Sequence, residues 1–429
     1  MSTRFGKLFP WVGAAALVVC AQAARADELA PTEGRAEPYQ AAEEAKEPTV
    51  KPVPGLQYVD RTFDGIKDWF DKHGLTIGSG LSTAFMWNFN QPGNFKNQLR
   101  FNDNFSSRYY VDLFQISLGY NPTPEKGQFG WFVKGDTGRI ARRLKSDWNG
   151  SGFVPDTSWE HDEVELQAAY VMYNIPIGNG LTLKGGKFDT LVGAEVAEPW
   201  LNPNFGRSFL YTLAEPATHT GGLATYPITD MVSVTAGGII GWDVVEDNNG
   251  SPSVTGQVAV VPNDRVSVYV NGIYGPEQAC NPAHSTLPGG MGCNRNKRGL
   301  VDAVATIKLL DPLTLSMNYD WASEDEASAV DPGRHSTWQG FSGILIYDPI
   351  KRLEFALRGE WFEDAQGSRT GLQQTLWEVT TSARVLLSDH IYTRAEYRHD
   401  ESTQKPFLAG DNIFLAGQDT VALELGYWF

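Results

Sequence analysis

The sequence predicts an all-β fold: a transmembrane antiparallel β-barrel of about 16 strands, with short periplasmic turns and long extracellular loops. Three observations carry this: an alternating strand at the C-terminus, an export signal at the N-terminus, and a regular succession of short turns and long loops between them.

The C-terminal strand ends Val421-Ala-Leu-Glu-Leu-Gly-Tyr-Trp-Phe429. Val421, Leu423, Leu425, Tyr427 and Phe429 share one face, and Ala422, Glu424 and Gly426 share the other. A period of two with one apolar and one wet face is the mark of a strand between lipid and a polar lumen. At the other end, Arg4 and Lys7 precede the apolar run Trp11–Cys20, and Ala24-Arg25-Ala26 precede Asp27. That is the layout of a cleavable signal peptide over 1–26. The run is too short for a stable membrane anchor. Cys20 invites a lipoprotein reading, but Val19 stands where that signal needs a small residue, so a cleaved signal peptide is the expectation. The net charge of −16 argues against nucleic acid as a partner.

Residues 27–56 are acidic and rich in Pro, as in Glu43-Glu44-Ala45-Lys46-Glu47-Pro48, and read as a disordered leader. A short amphipathic helix is expected over 57–74: Val59, Phe63, Ile66 and Phe70 share a face, and Gly74 stops it. The barrel occupies 75–429. Pro, Gly, Asn and Asp crowd seven short connections: 121–128, 176–180, 227–230, 262–264, 311–312, 348–351 and 388–390. Eight longer polar connections alternate with them: 90–105, 140–161, 190–217, 242–253, 274–298, 322–336, 363–373 and 399–418. Fifteen connections join sixteen strands and leave both termini on one side.

Strand faces agree with this division. Leu315, Met317, Tyr319 and Trp321 oppose Thr314, Ser316, Asn318 and Asp320. Phe355, Leu357 and Trp361 oppose Glu354, Arg358 and Glu360. Leu166, Ala168, Tyr170 and Met172 oppose Glu165 and Gln167. The segments 109–120, 217–226 and 337–347 alternate poorly, so bulges are expected there. Trp131, Tyr173, Trp242, Trp321, Trp361, Tyr427 and Trp428 fall near strand ends, as interfacial girdles require.

One stretch is specific: Gly185-Gly-Lys-Phe-Asp-Thr-Leu-Val-Gly-Ala-Glu195, then Glu198-Pro-Trp-Leu-Asn-Pro-Asn-Phe-Gly-Arg-Ser-Phe209, then Thr218-His-Thr-Gly221. It resembles the putative beta-barrel porin 2 family. The resemblance covers most of the chain after Leu75 and implies a porin-like barrel in the outer membrane, with no catalytic residue and no named solute.

That stretch spans the third long loop, 190–217. Its Pro199, Pro203 and Pro216 and its aromatic residues suit a fixed shape. By analogy with porins of 16 strands, it is expected to fold into the lumen and constrict it; the alternative is an extracellular lid closed over the barrel. Glu195 and Glu198 would then face Arg207 and the wall cations Lys184 and Lys187. On the last strands, Arg358, Glu378, Arg384, Arg394, Glu396 and Arg398 should point inward as a charge ladder, because a lipid-facing charge costs roughly 2–4 kcal/mol. The ladder would either set a transverse field or form wall salt bridges.

Cys280 and Cys293 share one long loop in an oxidising compartment and read as a disulfide. His284 nearby lacks ligand spacing, so neither metal nor cofactor is expected. A barrel lipid hydrolase would need a Ser–His–acid set, and the nearest nucleophile elbow, Gly340-Phe341-Ser342-Gly343, has Ile344 where the last Gly belongs. An adhesin or receptor working through the loops is the other alternative. Sixteen strands leave an aqueous lumen, so the expectation is a passive channel for small hydrophilic solutes or ions in the outer membrane of a Gram-negative bacterium. Expected partners are outer-membrane lipid, the barrel-assembly machinery acting through Phe429, the solutes, and two further copies if the barrel is a homotrimer.

Overall fold

A computed structural model describes residues 53, 56–100, 102–121, 127–144, 163–280 and 293–429. The expected signal peptide, and the leader apart from Val53 and Leu56, lie outside the described residues.

The strands run in chain order: β1 (Thr76–Asn88), β2 (Arg108–Tyr120), β3 (Phe129–Gly138), β4 (Glu163–Ile175), β5 (Leu181–Asp189), β6 (Thr218–Pro227), β7 (Val232–Ile239), β8 (Ser253–Asn263), β9 (Val266–Pro276), β10 (Lys297–Leu310), β11 (Leu313–Glu324), β12 (Ser336–Ile350), β13 (Leu353–Asp364), β14 (Gln374–Leu386), β15 (Ile391–Ser402), β16 (Phe407–Ala409), β17 (Ile413–Leu415) and β18 (Gly417–Trp428). Each of β1 to β14 pairs antiparallel with the next, and β18 lies between β15 and β1, so sixteen strands close a barrel. β16 and β17 form a separate hairpin within the last long loop. Closure satisfies every edge, which a lipid environment demands. The seam registers Gly80 with Trp428 and Asn88 with Thr420. Among the described residues no helix is long and apolar enough to cross a membrane.

Each of the seven predicted turns falls at the junction of two successive paired strands, and the predicted loop 190–217 fills the interval from Asp189 to Thr218. The outward and inward faces of β11, β13, β14 and β18 follow the sequence alternation: Trp361, Trp377 and Leu423 lie outside, whereas Arg358, Glu378 and Glu424 are buried inside.

Two expectations need correction. In β4, Lys134 pairs with Ala168 but Gly135 pairs with Leu166, so Gln167 is bulged out of register. The bulge reverses the parity. Leu166 stays outside, while Ala168, Tyr170 and Met172 turn inward into the main apolar cluster. Trp242 is no girdle residue either. It is buried in that cluster, with the Arg298 guanidinium 4.6 Å above its ring.

The helix α1 (Gln57–Lys72) packs across the end of the barrel that carries the short turns. It stops in a paired cap: Leu75 N–H donates to the Phe70 carbonyl at 3.0 Å and Gly74 N–H to that of Asp71 at 3.0 Å. Gly74 holds φ +71°, a conformation that costs glycine little. Phe63 stacks on Tyr427 (5.1 Å between centroids) and on Phe429 (4.8 Å). Ser388 Oγ donates to Asp60 at 2.6 Å, and His390 Nε2 lies 2.9 Å from Asp64 Oδ1.

Candidate functional site: a loop held inside the barrel

The loop between β5 and β6 enters the lumen and is bonded to the wall along its length. It contains a short 3-10 turn (Pro199–Leu201) and a π turn (Leu210–Ala214). Its apolar residues, Val192, Phe209, Leu210, Leu213 and Ala214, join the inward apolar residues Tyr170, Met172, Phe188, Trp338, Phe362 and Leu376 in one cluster. Trp200 lies against Gly80 of β1, where a Cβ would come within 2.3 Å of the indole. Only a glycine admits that approach.

The polar anchoring solves a specific problem. A loop inside a barrel buries backbone N–H and C=O groups that no ladder partner satisfies. The charged wall residues supply the partners. Glu396 accepts from the N–H of Phe205 (2.6 Å) and Gly206 (2.8 Å). Glu360 accepts likewise from Phe209 (2.6 Å) and Leu210 (2.7 Å). The arginines take the carbonyls: Arg358 donates to that of Gly206 at 2.7 Å, Arg384 to Trp200 at 3.0 Å, and Arg394 to Asn202 at 2.6 Å and Pro199 at 2.8 Å. Arg398 donates to the Arg207 carbonyl. The Arg394 fork takes two carbonyls of one turn, and such charge-assisted bonds are about twice as strong as neutral ones.

The wall is internally paired as well. Arg358 bonds Glu378 at 2.6 Å, Arg384 bonds Glu354 at 2.6 Å, and Arg394 bonds Glu424 at 2.6 Å. Register sets Glu360 opposite Glu378, and Arg384 opposite Arg394. Like charges across a ladder destabilise it, and these diagonal and cross-strand ion pairs offset that repulsion. The first long loop also reaches in: Arg100 bonds Asp400 at 2.6 Å and Asp103 at 2.7 Å. Burial opposes the Arg100 charge, but the two aspartates raise its pKa above the ordinary value.

The structure redistributes the residues expected at a constriction. Glu195 pairs with Arg358 at 2.7 Å and accepts from Ser208 N–H at 2.8 Å. Glu198 pairs with Lys134 of β3 at 2.7 Å and accepts from Gln115 at 2.9 Å. Burial disfavours the Glu198 charge, yet the Lys134 ammonium and these hydrogen bonds hold its carboxyl down to about 2. Arg207 folds back on its own loop, donating to the carbonyls of Val196, Phe205 and Ala197. Lys184 lies over the Tyr170 ring at 4.7 Å, and Lys187 bonds Glu165. The expected grouping of Glu195 and Glu198 with Arg207, Lys184 and Lys187 is therefore replaced by Glu195–Arg358 and Glu198–Lys134. The sequence reasoning missed Lys134, Arg100 and Asp400. Lys134 and Asp136 set among the aromatic and glycine residues of β3 were the available signal for the first.

Cys280 and Cys293 are joined by a disulfide, with their Cα atoms 5.1 Å apart.

Known structures share this architecture. The anion-selective porin from Comamonas acidovorans superposes with a TM-score of 0.53 at 12% identity, over 83% of this chain and 99% of that one. The outer membrane channel DcaP of Acinetobacter baumannii gives 0.53 at 11% identity, over 83% of this chain and 98% of that one. Pseudomonas putida OprB gives 0.51 at 13% identity, over 90% of this chain and 100% of that one. At such identities the likeness is one of fold. No curated protein matches the chain. The model of the putative beta-barrel porin-2, OmpL-like, family matches residues 74–429, and the chain belongs to that family.

Proposed function

We propose that this protein is an outer-membrane porin, a passive channel for small hydrophilic solutes or ions, whose passage is narrowed by the loop 190–217. The observation that carries this reading is the anchoring of that loop. Glu360 and Glu396 each clasp two successive N–H groups from mid-wall positions, and four arginines hold its carbonyls. A loop fixed so tightly across a polar lumen sets the width of whatever path remains. On this reading Glu195, Glu198 and Arg207 act at the constriction as residues that hold its shape. Sixteen strands are enough to enclose an aqueous lumen around such a loop.

The rest of the reading follows from the same frame. The outer membrane would be that of a Gram-negative bacterium, with α1 and the short turns on the periplasmic side. Phe429, at the end of the closing strand, would engage the assembly machinery before α1 stacks on it. A trimer is compatible with the outward apolar belt.

Planar-bilayer recording of the purified full-length protein tests the function. Discrete current steps that scale with bulk salt are expected. Repeated insertion without steps would falsify the channel, and ester hydrolysis of added lipid would favour an enzyme.

A further inference from the structure

Where the inserted loop turns out toward β6, three carboxylates from three distant segments meet. Glu215 ends the loop, Asp302 lies on β10 and Asp320 on β11, and one oxygen of each lies within 4.8 Å of the others. They are 7%, 0% and 0% exposed. Asp302 and Asp320 are direct cross-strand partners, a like-charge pair in a ladder. Elsewhere on this wall such repulsion is relieved by arginine. Here neither aspartate forms an ion pair with Lys, Arg or His among the described residues.

A second observation concerns Asp320 alone. Both Asp302 oxygens are engaged, by Asn271 and by Asn318 Nδ2, the latter at 2.9 Å. Asp320 Oδ1 lies a long 3.4 Å from Asn318 Nδ2, no amide, hydroxyl or backbone donor among the described residues reaches its fully buried Oδ2, and its remaining polar neighbours are the carboxyls of Asp302 and Glu215. A buried carboxylate oxygen without a partner is costly. The site is also built to bring Glu215 in. Gly193 holds φ +85°, and a Cβ there would lie 1.8 Å from Glu215 Oε2. Ala194 N–H fixes the adjoining loop by donating to Asn318 Oδ1 at 2.7 Å. A cavity of about 10 Å³, lined by Glu215, Asn318, Ser316, Glu195 and Ser208, opens beside the cluster.

We propose that Glu215, Asp302 and Asp320 bind one divalent cation of the hard, oxygen-seeking class, and that the ion clamps the end of the inserted loop to the wall. Three carboxylates and no soft ligand suit Ca²⁺, Mg²⁺ or Mn²⁺. Oxygens held at roughly 2.4 Å from a central Ca²⁺ are at most about 4.8 Å apart, and these three atoms all lie within that limit of one another. The ion would supply Asp320 Oδ2 with its missing partner and cancel the ladder repulsion. The competing arrangement is a set of shared protons, which binds no metal. The proposal rests on the inserted loop and not on conduction, so its test can fail while the channel stands.

The full-length folded protein, in detergent and stripped with a chelator, is titrated with Mn²⁺ and followed by electron paramagnetic resonance. One Mn²⁺ per chain is expected, displaced by excess Ca²⁺. Asp320→Asn and Glu215→Gln should each weaken binding by roughly tenfold or more, whereas Asp311→Asn, at an exposed turn, should leave it unchanged. Folding of each variant is checked by its heat-dependent electrophoretic shift; Glu215→Gln alters only the loop and decides the matter if Asp320→Asn does not fold. Wild-type protein without a stoichiometric Mn²⁺ signal at millimolar metal overturns the site. So does binding that is undiminished in a folded variant.

Discussion

Arg358, midway along β13, meets Glu195 of the inserted loop at 2.7 Å, with both side chains closed off from solvent. The same guanidinium bonds Glu378 on β14 and the Gly206 carbonyl, so one residue ties two wall strands to two points of the loop. A buried ion pair of this kind gives little net stability against an apolar substitute, but removing one partner strands the other.

Arg358→Ala should therefore loosen the loop more than it unfolds the barrel. Stranding Glu195 and Glu378 costs roughly 3–5 kcal/mol, most of it recoverable if the loop detaches and Glu195 is hydrated. Single-channel records should show a larger, noisier conductance. A wild-type conductance with a loop still resistant to protease would remove Arg358 from its anchoring role.

Deletion of Gly193–Arg207 should raise conductance, because resistance concentrates at the narrowest section. Glu195→Lys and Glu198→Lys should act in the same direction by dislodging the loop, since both glutamates are buried in ion pairs. A clean shift toward anions at unchanged conductance would instead mean that these side chains face the permeating ions.

The Lys134–Glu198 tie predicts a pH profile. The Glu198 carboxyl sits at about 2, below its ordinary value near 4.5. A lowered acid contributes stability that is complete above the ordinary value and lost only as pH falls through the lowered one. Loop protection from hydrogen exchange around Glu198 should hold from pH 7 to pH 4 and fail near pH 2. Loss of protection between pH 6 and 5 would contradict the pairing.

Phe63→Ala removes two stacked contacts, with Tyr427 and Phe429, each worth about 0.5–1.5 kcal/mol beyond area. Proteolysis near α1 should quicken while the barrel keeps its heat-dependent mobility. Equal cleavage of variant and wild type would mean that α1 is held by its polar contacts with the 388–390 turn.

Reducing Cys280–Cys293 should leave conductance unchanged, because the wall residues that hold the loop 190–217 lie on other segments. Its contribution, about 3 kcal/mol in the chain-entropy model, should appear as faster local exchange in that loop. Ready alkylation of both cysteines in native, unreduced protein would refute the bridge.

The barrel was legible in the sequence because its rules are local. Turn residues mark the ends of strands, and lipid outside forces alternation wherever the inside is wet, as in Thr314–Trp321 and Glu354–Trp361. The alternation fades where the inside is not wet. Trp338, Ile344 and Ile346 of β12 are apolar and face inward, with Gly340 against Leu210 of the loop. Polarity could not separate the faces of that strand. One bulge at Gln167 inverted β4, and nothing in its composition announced the extra residue. The loop's identity and its Pro and aromatic stiffness were readable, as were the inward charges on β13 to β15. Which charge meets which was not. Glu195 finds Arg358 from 163 positions away, and Glu215 meets Asp302 and Asp320 only because barrel closure and loop insertion bring three remote segments together. The sequence by itself determined the barrel, a count of about sixteen strands, and loop 190–217 as the one expected to turn inward by analogy. Pairing inside the lumen depends on strand register and on the path of a loop through the barrel, and only the tertiary structure decides those.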